Sequence, residues 1–199
     1  MKAVNIIFVL VLLVALSACS KDEPTRLTNV KGLIPDLSFE LTDEDNKTVT
    51  AEDYLGYTVA IFFGFTSCPD ICPTTMHQLS GIMKEIDSAG SKIRVLFISV
   101  DPDRDSAEKL KKYTDVFGSA FIGLRGEDRI IKEMTKRYRV TFGYGESDAE
   151  GNYEVSHSGA VFIFDNEGKA RLLATQSSRT EDLTYDLKNL LNHKIKVIT

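Results

Sequence analysis

Apolar and polar positions along this chain fall into two rhythms that alternate with one another. Tyr57 to Phe63 is a continuous apolar run dense in β-branched and aromatic residues (Val59, Ile61, Phe62, Phe63), the pattern of a strand buried on both faces. Ile93 to Val100 repeats that pattern. From Thr74 to Ser88, Met76, Leu79, Ile82, Met83 and Ile86 recur at helical spacing, and Pro73 suits the first turn of that helix because its missing N–H has no intrahelical use there. Upstream, Leu37 to Leu41 alternates like a half-buried strand, and Thr42 to Lys47 supplies a turn before Thr48-Val49-Thr50. Ser106 can cap a helix running through Tyr113 to Phe117, with Glu108 in its first turn. Phe121 to Leu124 reads as a short strand and Asp128 to Arg139 as a helix. Phe142 to Ser158, rich in Gly, Ser and Asp, reads as an irregular loop. Ala160 to Phe164 and Ala170 to Thr175 form a hairpin around Asp165-Asn166-Glu167-Gly168, and Thr180 to Asn192 is a final helix.

This order predicts an α/β fold: a mixed central sheet flanked by helices, with an N-terminal β-hairpin. That is the arrangement of the thioredoxin superfamily. In such sheets functional groups gather at the carboxyl ends of the parallel strands. The first buried strand ends there in Gly64-Phe65-Thr66-Ser67-Cys68-Pro69-Asp70-Ile71-Cys72-Pro73.

The N-terminus changes the picture of where the domain works. Met1-Lys2 precedes an apolar stretch from Ala3 to Leu16 interrupted only by Asn5, and Leu16-Ser17-Ala18-Cys19 closes it with small residues. The stretch is too short for a comfortable membrane span and reads as a secretory signal. Its ending resembles a bacterial lipoprotein signal, with Cys19 lipidated and made the new N-terminus. The alternative is an uncleaved anchor; either way the domain lies outside the cytoplasm, tethered to a membrane, facing the periplasm in a Gram-negative cell. Residues 20–31 read as a flexible polar tether, and residues 32–199 as one domain with its own core. The 199 residues carry a net charge of −5 with scattered basic side chains, which argues against a nucleic-acid partner.

In the mature chain only Cys68 and Cys72 are left. Their three intervening residues close almost no loop, so stabilisation is a poor reason for the pair. A thiol at a helix N-terminus has its thiolate favoured, and two such sulfurs either form a reversible disulfide or clamp a soft metal. Copper(I) accepts two thiolates and one imidazole. Of the three histidines, His77 is five residues after Cys72 and is expected to point away, while His193 sits near a helix C-terminus, where a cation has a plain structural reason. His157 lies in the loop entering the second hairpin, which passes over the dithiol in this fold, and no proline follows Pro102 to take the place usual in thiol oxidoreductases. Cys68, Cys72 and His157 are therefore the candidate copper ligands.

Cys68-Pro69-Asp70-Ile71-Cys72-Pro73, its Gly64-Phe65-Thr66 lead-in, Ser99-Val100-Asp101-Pro102-Asp103-Arg104-Asp105 and His157-Ser158 before Phe162-Ile163-Phe164-Asp165 together resemble the Sco/SenC family from about residue 30 onward. Ser106 departs from the Thr often found after the Asp-Pro-x-Arg-Asp string. The resemblance implies a membrane-tethered copper chaperone, carrying copper(I), copper(II) or both, that serves the dinuclear copper site of cytochrome c oxidase, with Cys68, Cys72 and His157 matching the family's ligands. The implied partners are the copper-bearing oxidase subunit or its assembly factors, and a thiol reductase. The competing activity is thiol–disulfide reduction of the oxidase's own copper-site cysteines. Peroxide scavenging fits less well, because Gly-Phe-Thr-Ser precedes Cys68. The Asp101–Asp105 segment reads either as a patch orienting an acceptor or the copper loop, or as a turn leading into a capped helix.

Overall fold

A computed structural model describes residues 24–148 and 153–192. Cys19, the signal segment and His193 lie outside the described residues. Ten strands are present: β1 (Thr28–Asn29), β2 (Glu40–Asp43), β3 (Thr48–Thr50), β4 (Thr58–Gly64), β5 (Ile93–Ser99), β6 (Phe121–Arg125), β7 (Phe142–Tyr144), β8 (Val155–His157), β9 (Val161–Phe164) and β10 (Ala170–Ala174). Four α-helices alternate with them: α1 (Ile71–Ile86), α2 (Ala107–Asp115), α3 (Asp128–Arg137) and α4 (Thr180–Asn192). Eight strands make one mixed sheet in the order β1-β10-β9-β4-β5-β6-β2-β3, with β4, β5 and β6 parallel and β9 antiparallel to β4. This is the predicted mixed sheet with its N-terminal hairpin, β2–β3.

The continuous apolar runs explain the layering. Every residue of β4 is buried. Its alternate side chains serve two cores: Ala60 and Phe62 pack with residues of α1, α2 and α4, while Val59, Ile61 and Phe63 pack with Ile131 and Met134 of α3. Each of the larger ones, Val59, Ile61, Phe62 and Phe63, contributes about 1.5–3 kcal/mol on burial, which holds the centre of the sheet firmly. The two loops that leave β4 and β5 at their carboxyl ends are built on that centre.

Four boundaries differ from the sequence reading. The strand expected at Leu37–Leu41 begins at Glu40 and continues through Asp43, because it pairs with β3 from Glu40 to Thr42 and with β6 at Thr42 and Asp43. Leu37 and Phe39 still pack on the core, the Leu37 N–H donating to the Gly168 carbonyl and the Phe39 carbonyl accepting from the Ala51 N–H outside the β2 ladder. The helix expected to open near Pro73 opens at Ile71, with Asp70 as its cap residue, which draws Cys72 into the first turn. The stretch expected to be a tether up to Lys31 joins the domain from Arg26 onward. Leu27 and Val30 are buried, Thr28 and Asn29 pair with Leu173 and Leu172, and the Asp186 carboxylate accepts the Arg26 and Leu27 N–H groups. Two isolated apolar residues in a polar stretch gave no periodicity by which to see this. Finally, the supposed loop 142–158 contains a two-stranded hairpin, β7–β8, pairing Phe142 with His157 and Tyr144 with Val155. Among the described residues no helix is long and apolar enough to cross a membrane.

Candidate metal centre

The site is assembled where β4 runs out. Gly64 is its last residue, and a side chain there would collide: a Cβ would lie 2.7 Å from Cys72 Sγ and 2.7 Å from the Phe97 ring. The chain then turns, with the Cys68 N–H donating to the Phe65 carbonyl at 3.2 Å, and enters α1 at Ile71. Cys68 sits in the turn and Cys72 in the first helical turn, so the Cys72 N–H points at Cys68 Sγ, 3.5 Å away. Both thiols are free and buried, Cys72 completely.

The third group arrives from 85 residues further along the chain. His157, the last residue of β8, places Nε2 3.2 Å from Cys72 Sγ and 3.7 Å from Cys68 Sγ. Its Nδ1–H donates to the Ser158 carbonyl at 3.1 Å, which leaves the Nε2 lone pair facing the sulfurs. The Phe62 and Phe65 rings meet the imidazole edge-on at 5.9 and 5.7 Å. The three donor atoms lie within 4.8 Å of one another, and this trio is the cluster of metal-binding type among the described residues. His77 is exposed on α1, its ring against Phe117, and takes no part.

Burial acts on the protonation of these three side chains. It pushes the Cys72 thiol well above the ordinary thiol range, and the neighbouring Cys68 adds to the effect. The sequence expectation that the helix N-terminus would favour the thiolate does not hold at this sulfur, because desolvation outweighs it. Burial also lowers the His157 pKa, against the pull of the Ser158 and Phe63 carbonyls. The result is a neutral thiol beside a neutral imidazole, a pair that needs a soft cation to justify an anionic sulfur in an apolar pocket.

Two loops hold this arrangement. The turn before Cys68 is tied to the segment after β5: Asp105, fully buried, accepts from Thr66 N (3.0 Å), Thr66 Oγ1 (2.6 Å) and Ser99 Oγ (2.6 Å). Ser106 then caps α2, accepting from Lys109 N at 3.2 Å. Both readings of the Asp101–Asp105 string are therefore partly met, since it leads into a capped helix and also fixes the thiol loop. Gly159 completes the fit over α1, since a Cβ there would come within 2.3 Å of the Ile71 side chain. The sequence reading offered the segment containing Asp105 as one that orients the copper loop, but it did not single out Thr66 or Gly159 as supports of the site.

A model of the SCO1/SenC family matches residues 33–192. A SCO2-like protein of Rickettsia prowazekii is 36% identical over 132 residues, covering 66% of this chain and 64% of that protein. The human mitochondrial SCO1 homolog is 34% identical over 133 residues, covering 66% of this chain and 44% of that protein. The matched region thus spans less than two thirds of these relatives' length. Among solved structures, Arabidopsis thaliana ScoI with copper bound superposes with a TM-score of 0.72 at 30% identity, covering 78% of this chain and 97% of that one. Yeast Sco1 with copper bound gives 0.73 at 29%, covering 82% and 92%. With the family match spanning nearly all the described residues, and the thioredoxin-like fold shared with these structures, the chain belongs to the SCO1/SenC family.

Proposed function

We propose that this chain binds copper through Cys68 Sγ, Cys72 Sγ and His157 Nε2 and serves assembly of cytochrome c oxidase by delivering the ion to its dinuclear copper site. The observation that carries this reading is the convergence of two free, buried thiols with an imidazole whose other nitrogen is already engaged. Two thiolates and one imidazole suit copper(I), and a site with few ligands at the mouth of a shallow depression leaves room for an acceptor's sulfur to enter. The depression has a volume of about 310 Å³ and is lined by Phe65, Cys68, Ile71, Val155, His157 and Gln176, among others. That relatives have been solved with copper bound supports the reading.

In this reading Cys19 carries the lipid, a short polar tether follows, and the domain works outside the cytoplasm beside the membrane-embedded oxidase. The acceptor is the copper-bearing subunit or a factor acting on it. Exchange with an oxidised dithiol partner passes two electrons and two protons from the pair to that partner's disulfide and leaves Cys68 and Cys72 joined, which removes both sulfur ligands; a thiol reductase reverses the exchange. A second activity, reduction of the acceptor's cysteines, is favoured by the same free pair four positions apart. Anaerobic titration with copper(I) tests the leading reading. The reduced chain takes up one equivalent tightly and the oxidised chain does not; equal uptake by both would refute it.

A further inference from the structure

We propose that Asp101, Arg104 and Tyr153 form a latch that positions the His157 imidazole over the thiols. This rests on the copper reading above and gives a physical origin to the third ligand's placement. The hairpin β7–β8 lies outside the eight-stranded sheet, so its position depends on what ties it down.

Three hydrogen bonds run from it to the segment after β5. Tyr144 Oη donates to the Val100 carbonyl at 2.5 Å, Tyr153 Oη donates to Asp101 Oδ1 at 2.6 Å, and Arg104 Nη1 donates to the Tyr153 carbonyl at 3.0 Å. The Arg104 guanidinium also stacks on the Tyr153 ring, 3.9 Å from its centroid, while Nε holds the other oxygen of Asp101. Asp101 is 1% exposed, so its carboxylate is a fixed anchor. Arg104 Nη2 has no hydrogen-bond partner although it is buried, which marks this guanidinium as held by ring faces as much as by acceptors. Phe65 is near both groups: its ring lies 5.7 Å from the Arg104 guanidinium and 5.7 Å from the His157 ring. The hydrogen bond to Asp101 pushes the Tyr153 phenol up to about 12, so it stays a donor throughout the physiological range.

One short segment thereby aligns both halves of the site. Asp105 sets the thiol loop through Thr66, and Asp101 with Arg104 sets the imidazole hairpin through Tyr153. These are positioning residues; none touches the sulfurs.

The test uses the reduced full chain with Tyr153→Ala, Tyr153→Phe and His157→Ala. Amide exchange is followed in the metal-free protein at Gly145 and Ser158, whose N–H groups bond to Glu154 and Thr141, and at Val95 in the sheet as control. Copper(I) affinity is measured by chelator competition. Tyr153→Ala is expected to speed exchange at Gly145 and Ser158 with Val95 unchanged, and to weaken copper binding about tenfold, the lower end for groups that orient a metal ligand. Tyr153→Phe, which keeps the ring under Arg104, should fall between. Wild-type exchange and affinity in Tyr153→Ala, or equal acceleration at Val95, would overturn the latch. Wild-type affinity in His157→Ala would instead overturn the ligand reading, and the exchange data would still decide whether the hairpin is held as proposed.

Discussion

The two halves of the candidate copper site are built in opposite ways. The thiol half is part of the core: Cys72 packs against Gly64 and Phe97, and its turn is pinned by a buried carboxylate. The imidazole half rides on a three-residue strand appended to the sheet, tied by two tyrosine hydroxyls and one arginine. A dithiol built into the core needs little rearrangement when metal arrives, whereas the hairpin that carries the imidazole lies outside the eight-stranded sheet and meets the core through Phe142 and Val155. That division suits the proposed role, in which an ion is held and then passed on.

The largest expected effect comes from breaking the thiol half. Cys72→Ser removes a soft donor and leaves a hydroxyl in its buried place, and stoichiometric copper(I) uptake in an anaerobic titration should be lost. Asp105→Ala should cost about 3 kcal/mol in denaturant unfolding, because Thr66 and Ser99 lose the buried acceptor they share. Gly64→Ala should cost about 1–3 kcal/mol by overpacking, since the new methyl meets Cys72 Sγ and the Phe97 ring.

The smallest effect sharpens the contrast from the imidazole side. Burial lowers the folded-state pKa of His157 below its ordinary 6.5, so below that pH the unfolded chain binds more protons than the folded one. The stability this group contributes is therefore present above pH 6.5 and is lost as pH falls through the lowered folded value. Thermal unfolding of the metal-free, reduced chain between pH 7.5 and about 5 should decline less in His157→Gln than in wild type.

How much of this could be read from the chain depends on whether the signal was local. The run from Tyr57 to Phe63 and the Cys-Pro-Asp-Ile-Cys-Pro string sit next to each other, so strand, turn and dithiol were legible together. His157 was legible only through the fold, as the histidine entering the second hairpin. The hairpin that carries it was not, because strands of three residues are too short to show a usable period. Thr28 and Asn29 escaped for the same reason. The partners of the Asp101–Asp105 string lie 39 and 52 residues away at Thr66 and Tyr153, a distance that no local pattern spans. The thiol chemistry was misjudged because helix polarity is visible in a sequence while burial depth is not.

X-ray absorption of the copper(I)-loaded, reduced chain tests the central claim most directly. Two sulfur neighbours and one nitrogen about the metal are predicted, with the nitrogen contribution gone in His157→Ala. A purely sulfur environment in the wild-type chain, or a nitrogen that survives the substitution, would contradict the account.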